Sequence, residues 1–304
     1  MFDIVSVGHF AIDSIILPNR NAPFVVLGGS VTYVSFAARR LDCTVSVISK
    51  VGNDFPAAYR WWLEQEGINL SALIKVENAA TTHFGLEYSS DLSNRTLQLK
   101  NKAPPITVED LPKTLKARAI HIAPIAEEIT YEVVEKLKTC TEVLSIDPQG
   151  LVRDFDENGN VTSSPLADKR ILGLANIFKS SQKEIEIITG LTELNRAIKA
   201  IHDQGPKIVL VTQGAKGATL SIEGSLYNIP VWNVEKFVDP TGAGDAFIGG
   251  FLAEYVYGEN LLRCACVGAA VSSLVVEAVG PTFFGDKETI YQRARALYEK
   301  EIKE

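Results

Sequence analysis

Short apolar runs recur along the chain at 3–8, 44–50, 119–123, 141–146, 175–178 and 207–211. Between them lie stretches with helical spacing of apolar positions, at 30–41, 57–66, 127–138, 182–189 and 193–203. Strands buried on both faces, alternating with amphipathic helices, predict an α/β fold: a three-layer α/β/α sandwich with a central, mostly parallel sheet. The last part changes character, and 246–257, 261–277 and 287–303 predict three helices after a glycine-rich segment. Two stretches break the rhythm. Residues 14–27, with Pro18 and Pro23, predict a strand, a turn and a second strand. Residues 81–100 predict another hairpin, with Ser89-Ser90-Asp91-Leu92-Ser93-Asn94 as its turn. Paired, the two would form a small β lid on a single domain spanning 1–304.

Composition narrows the function. A chain of 304 residues can bury roughly three quarters of its unfolded surface, enough for a large core. A net charge of −7 argues against a nucleic-acid surface, which needs clustered Lys and Arg. It leaves room for a local phosphate site built from backbone N–H groups. No apolar run is long enough to span a membrane. The first ten residues, with Asp3 and His9, lack a basic stretch followed by an apolar one, so a cytoplasmic location is expected. The four cysteines form no Cys-x-x-Cys pair and read as small buried residues in a reducing compartment.

The most informative run is Asp239-Pro240-Thr241-Gly242-Ala243-Gly244-Asp245. Gly242 and Gly244 leave the backbone uncovered, and the small apolar residues that follow predict a buried helix. A glycine turn at a helix N-terminus presents free N–H groups and a positive dipole end to an anion. Asp245 then falls in the first turn, placed to accept the proton of an attacking hydroxyl. Taken alone, the same run also fits a tight turn followed by a dipole-answering Asp. Other phosphate motifs are absent: no Gly-x4-Gly-Lys-Ser/Thr, no early Gly-x-Gly-x-x-Gly, no Asp-Phe-Gly.

Residues 239–252, Asp-Pro-Thr-Gly-Ala-Gly-Asp-Ala-Phe-Ile-Gly-Gly-Phe-Leu, resemble the C-terminal signature of the ribokinase (PfkB) family of carbohydrate kinases. The resemblance implies a ribokinase-like fold, an anion hole from the backbone of Gly242, Ala243 and Gly244, and Asp245 as catalytic base. It continues along the chain in the family's order. Val7-Gly8-His9-Phe10-Ala11-Ile12-Asp13 is similar to the family's first strand, whose terminal Asp grips substrate hydroxyls. Gly28-Gly29-Ser30-Val31-Thr32-Tyr33 resembles the Gly-Gly substrate motif, with Tyr33 where Asn is usual. Gly52-Asn53-Asp54-Phe55 resembles a further family segment. Lys179-Ser180-Ser181-Gln182-Lys183-Glu184 resembles the magnesium-organising Asn-x-x-Glu, with Ser181 in place of Asn and Glu184 retained. Thr212-Gln213-Gly214-Ala215-Lys216-Gly217 resembles the strand and turn that touch the nucleotide. Each segment also has a plain reading: Asp13 as a turn residue, Glu184 as a solvated first-turn side chain, Gly214 and Gly217 as a hairpin turn. Their joint, ordered occurrence favours the family.

What the resemblance implies is transfer of the γ-phosphate of ATP to a hydroxyl of a small sugar or polyol. Asp13, Gly28, Gly29, Tyr33 and Arg153 would hold the acceptor under the lid. Thr212, Gly214, Gly217 and Lys179 would meet the nucleotide, and Glu184 would bind Mg²⁺ through water. Asp239 and Thr241 would serve a monovalent cation such as K⁺, as in some relatives. The helix dipole is expected to lower the pKa of Asp245, making it a weak base that acts late. Residues 147–159, from Asp147-Pro148-Gln149-Gly150-Leu151-Val152-Arg153 onward, resemble the inositol kinase branch, so myo-inositol is expected ahead of ribose, fructose, 2-keto-3-deoxygluconate or a nucleoside. Arg153 offers a five-donor fork for hydroxyls or phosphate, and equally suits a surface loop. A monomer, or a homodimer through the lid, is expected, with no nucleic-acid or membrane partner. A non-catalytic sugar or nucleotide binder on the same fold is the alternative, motivated by Tyr33 and Ser181.

Overall fold

A period of two in the apolar runs sends Ile4, Ala119 and Ile177 to one face of a sheet and Val5, Ile120 and Phe178 to the other, giving two separate cores. The computed structural model describes residues 1–18, 20, 22–90, 92 and 94–303. The chain opens with β1 (Phe2–Val7), then leaves the main sheet for β2 (Ala11–Ile16) and β3 (Phe24–Gly28). It returns through α1 (Ser30–Arg40), β4 (Val45–Gly52), α2 (Ala57–Gln65) and β5 (Ile68–Val76). A second excursion forms β6 (Thr82–Tyr88) and β7 (Arg95–Asn101). Then come β8 (Ala117–Ile122), α3 (Tyr131–Lys138) and β9 (Thr141–Ile146), followed by a short hairpin of β10 (Arg153–Phe155) and β11 (Val161–Ser163). β12 (Ile177–Ser181), α4 (Gln182–Thr189), α5 (Leu194–His202) and β13 (Ile208–Thr212) complete the parallel part. The antiparallel strands β14 (Ala218–Ile222) and β15 (Ser225–Ile229) precede α6 (Ala243–Tyr255), α7 (Leu261–Val275) and α8 (Lys287–Lys303).

Among the described residues the main sheet runs β15-β14-β13-β12-β9-β8-β1-β4-β5, parallel from β13 to β5. Side chains from α1, α2, α6, α7 and α8 fill one core, and those from α3, α4 and α5 the other. This is the three-layer α/β/α sandwich expected from the pattern. α6 and α7 are nearly apolar all round because they lie inside this packing; α7 carries the buried Cys264 and Cys266.

The excursions pair as a four-stranded sheet, β3-β2-β6-β7, which is the lid. Its boundaries differ from those expected. Gly8, with a positive φ of 155°, ends β1, so the lid strand begins at Ala11 rather than residue 14. Asp13 therefore sits inside a lid strand, opposite Val26 and Phe84, and not at the end of β1. Asp91 and Ser93 of the expected turn lie outside the described residues. Phe84, Leu86 and Tyr88 form a small core under the lid with Ala11 and Ile15. The β10–β11 hairpin docks on the lid's edge strand, where Leu99 N–H bonds Gly159 O at 2.8 Å.

Two helices start elsewhere than the apolar spacing implied. α3 begins at Tyr131, not 127, because the buried Glu128 carboxylate is taken up by the backbone N–H groups of His9, Ile125 and Ala126. α6 begins three residues early, at Ala243, with Gly242 as its N-cap at φ 76°. Gly244 and Asp245 thus belong to the first helical turn.

Candidate active site

Parallel strands end together, and the loops beyond their C-terminal ends form a natural crevice. Here a cavity of about 280 Å³ opens between those ends, the start of α6 and the lid. Asp13, Phe84, Leu86, Arg95 and Leu97 line it from the lid side. Lys179, Ser181, Glu184 and Thr212 line it from β12, α4 and β13, and Thr241, Gly242, Gly244 and Asp245 from the helix start. Residues separated by more than two hundred positions in sequence therefore face one space.

The α6 start is a helix N-terminus that opens into the cavity. Its first N–H groups have no carbonyl within the helix to meet, although that of Ala243 reaches Pro240 O at 3.3 Å, and the helix dipole adds positive potential. A side chain at position 242 would run into the Tyr33 ring, and its positive φ suits glycine alone. A Cβ at position 244 would come within 2.9 Å of Lys179 Nζ. The glycines thus leave room both for neighbouring side chains and for a ligand.

Asp245 is buried, and its Oδ1 has no hydrogen-bond partner among the described residues. Burial pushes its pKa up to about 6; the Lys179 charge pulls down, Asp147 pushes up, and a hydrogen bond from Ser30 and the Arg153 charge pull down. The dipole-lowered value expected from sequence is thereby corrected: loss of water outweighs the helix end. A carboxylate near 6 is a better base than an ordinary Asp, and its free oxygen is where a hydroxyl proton would go.

Opposite it, burial raises the Asp13 pKa to about 7; Arg95 and Arg153 oppose the rise, and Asp239 and Asp245 add to it. A Cβ at Gly28 would overlap the Asp13 carboxylate, which explains a glycine there. Gly29 lines the cavity as well. Arg153 is held by Ile125 O at 2.9 Å and Gln149 Oε1 at 2.5 Å. Gln149 also donates to Ser30 Oγ at 2.9 Å, joining Arg153 to the Asp245 side of the cavity. Tyr33 stands with its ring against Gly242 and tilted on Phe284, 6.3 Å between centroids. Its hydroxyl is buried with no partner among the described residues, and burial raises its pKa well above the ordinary phenol value, helped by Asp13, Asp239 and Asp245.

Lys179 and Thr212 line the same cavity as Asp245, whereas Gly214 and Gly217 form the turn from β13 into β14. Lys179 donates to Asp147 Oδ2 at 2.5 Å, with both side chains buried. Glu184 accepts from Ser181 N at 2.7 Å while Ser181 Oγ accepts from Glu184 N, a capping box that ties α4 to the end of β12. Glu184 nevertheless lines the cavity. Asp239 is buried, with Oδ1 receiving Thr241 N–H and O–H and Oδ2 receiving Gly280 N–H. Both residues proposed for a monovalent cation are thus bonded to each other.

Sequence reasoning passed over Arg95 and gave Asp147 no role. Arg95, Leu97 and Leu99 alternate along β7, so the period of two was the available signal for Arg95. Asp147 follows Ile146 of β9 and Lys179 follows Phe178 of β12, the residue paired with Ile146, a juxtaposition invisible before the strand order was known.

Known proteins resemble this chain over most of its length. The sequence profile of the pfkB family carbohydrate kinases matches residues 1–288. A cytidine kinase of Thermococcus kodakarensis is 29% identical over 273 residues, covering 88% of this chain and 94% of the relative. An inositol 3-kinase of Oryza sativa subsp. japonica is 27% identical over 294 residues, covering 91% of this chain and 68% of the relative. Among solved structures, the sulfate complex of a pyrophosphate-dependent kinase in the ribokinase family superposes with a TM-score of 0.80 at 26% identity, covering 91% of this chain and 96% of that one.

Proposed function

Because the chain belongs to the pfkB family of carbohydrate kinases, and so is a phosphotransferase with a hydroxyl group as acceptor, we propose that it phosphorylates a small polyol, myo-inositol first, from ATP. The observation that carries this reading is the unpartnered Oδ1 of buried Asp245, set in the first turn of α6 beside the uncovered Gly242–Gly244 backbone. Phosphoryl transfer asks for alignment and charge neutralisation rather than covalent steps. The N–H groups of Gly242, Ala243 and Gly244 hold the transferring phosphoryl oxygens. Asp245 takes the proton of the acceptor hydroxyl. The Lys179 ammonium, next to Gly244, meets the donor's phosphate charge.

Glu184 would hold Mg²⁺ through water, and the metal when bound supplies neutralisation of the donor phosphates. Thr212, Gly214 and Gly217 lie along the donor side. Asp239 and Thr241 remain the residues that a monovalent cation would address.

Acceptor recognition rests on the lid side. Asp13 accepts from hydroxyls, and Gln149, Arg95 and Arg153 offer donors; a ring bearing hydroxyls all round uses such a set fully. A nucleoside is the second reading, favoured by the similarity to cytidine kinase and by the apolar Phe84, Leu86 and Leu97 on one wall. The test is a product-release assay with myo-inositol, cytidine, ribose and fructose, each with ATP and with pyrophosphate as donor. Turnover of myo-inositol with ATP is expected to lead. Cytidine turned over with myo-inositol inert would replace the acceptor assignment, and pyrophosphate alone serving would replace the donor.

A further inference from the structure

The tip of the lid touches the loop that leads into the anion site. Arg95 Nη1 donates to the Tyr88 hydroxyl at 3.0 Å, and that hydroxyl lies 2.8 Å from Thr241 Oγ1. Thr241 Oγ1 in turn donates to Asp239 Oδ1 at 2.6 Å, and Gly280 N–H closes on Asp239 Oδ2 at 3.0 Å. Proton bookkeeping fixes every direction in this chain. A guanidinium only donates, and Thr241 Oγ1 donates to the Asp239 carboxylate. The single Thr241 proton therefore goes to Asp239, and Tyr88 must donate to Thr241. Tyr88 and Thr241 are each 7% exposed, so water does not replace these bonds readily.

Thr241 immediately precedes Gly242, the N-cap of α6. Gly242 at the N-cap and Gly244 in the first turn leave the junction between this loop and α6 little stiffness of its own. Asp239 anchors it from below through the segment at Gly280, and Tyr88 anchors it from above through the lid. Tyr88 does not line the cavity, so any effect it has on transfer passes through Thr241.

We infer that Tyr88 is a positioning residue: its hydroxyl links the lid to Thr241 and thereby orients the Gly242–Gly244 backbone for phosphoryl transfer. The inference rests on the anion-site reading of Gly242–Gly244 given above. Lid contact and a formed anion site then become one event, so acceptor enclosed by the lid is met by an ordered phosphate loop.

The experiment is a kinetic double-mutant cycle with Tyr88→Phe, Thr241→Val and the double variant, and Asp245→Asn as control. Losing one aligned hydrogen bond in the relay is expected to lower kcat about tenfold in Tyr88→Phe, with acceptor KM within about twofold. The double variant should turn over within about twofold of Thr241→Val alone, because the relay is already broken. A structural role for Tyr88 would instead lower melting temperature with kcat intact. Unchanged kcat in Tyr88→Phe, or losses that multiply in the double variant, would overturn the relay. An active Asp245→Asn would instead overturn the underlying site, so the two failures are distinguishable.

Discussion

Lys179 Nζ lies 2.5 Å from Asp147 Oδ2 with both side chains buried, and the same ammonium is the first atom that a side chain at position 244 would meet. Burial alone would lower the Lys179 pKa; Asp147, Asp245 and Glu184 outweigh it, and the net direction is upward. The cation is therefore permanent at working pH. Buried ion pairs add little net stability, because desolvation offsets the attraction, but they hold a charge in place. Asp147 holds this one against the first turn of α6.

Lys179→Met should test that placement. Removing a preorganised charge from a phosphoryl site typically costs on the order of 10²–10³ in kcat. Lys179 also pulls the Asp245 pKa down. The acid limb of the pH–rate profile should therefore move to higher pH in Lys179→Met. A limb that stays where it is would separate Lys179 from Asp245 electrostatically.

Asp245→Asn keeps the size of the side chain and removes the proposed base. Turnover should fall by roughly 10²–10⁴ with donor affinity little changed. In the parent enzyme, activity should rise with pH through about 6, since the ionised form of Asp245 accepts the proton. Near-normal turnover in the variant would place the base elsewhere.

Gly244→Val should leave a folded protein without activity. Its side chain would press on Lys179 Nζ, which Asp147 pins, and would screen the N–H groups from phosphate. Each such donor typically carries on the order of 10²–10³ in rate. Circular dichroism and a melting curve like the parent's, combined with lost turnover, are the expected pair of results. Full activity would move the anion hole away from this loop.

Legibility in the sequence followed how local each signal was. The helix at 182–189 was read to the residue because Ser181 caps its start and Gly190, in the left-handed region, stops it. The strand at 141–146 carries its own apolar run. β15 is exposed at four of its five residues, so it offers no apolar run, and β10 and β11 are three residues long. β5 lies at the sheet edge with mixed burial and was missed for the same reason. In the site, the glycine run and Asp13 were visible as motifs. The Lys179–Asp147 pair was not, because only adjacency of β9 and β12 brings together residues 32 positions apart. The direction of the Asp245 shift needed burial, which a motif does not convey.

The last prediction concerns Asp13, the carboxylate proposed to meet the acceptor. Its pKa of about 7 is raised mainly by burial, so in the unliganded protein it is neutral in mild acid and becomes charged as pH rises. A folded pKa above the ordinary carboxylate value contributes stability that is complete below about pH 4 and is lost as pH rises through about 7. Asp13→Asn removes that loss, so the variant should melt above the parent at about pH 8 and approach it at about pH 5. Function runs the other way. The ionised carboxylate is the stronger acceptor for acceptor hydroxyls, each such bond contributing about 1.5–3 kcal/mol. Acceptor affinity in the parent should therefore tighten as pH rises through about 7. In Asp13→Asn it should be weak and flat with pH, while donor affinity stays near normal. Calorimetric titration of each ligand at two pH values checks both halves. A folded Asp13→Asn protein that binds acceptor as the parent does would place the acceptor site away from this strand of the lid.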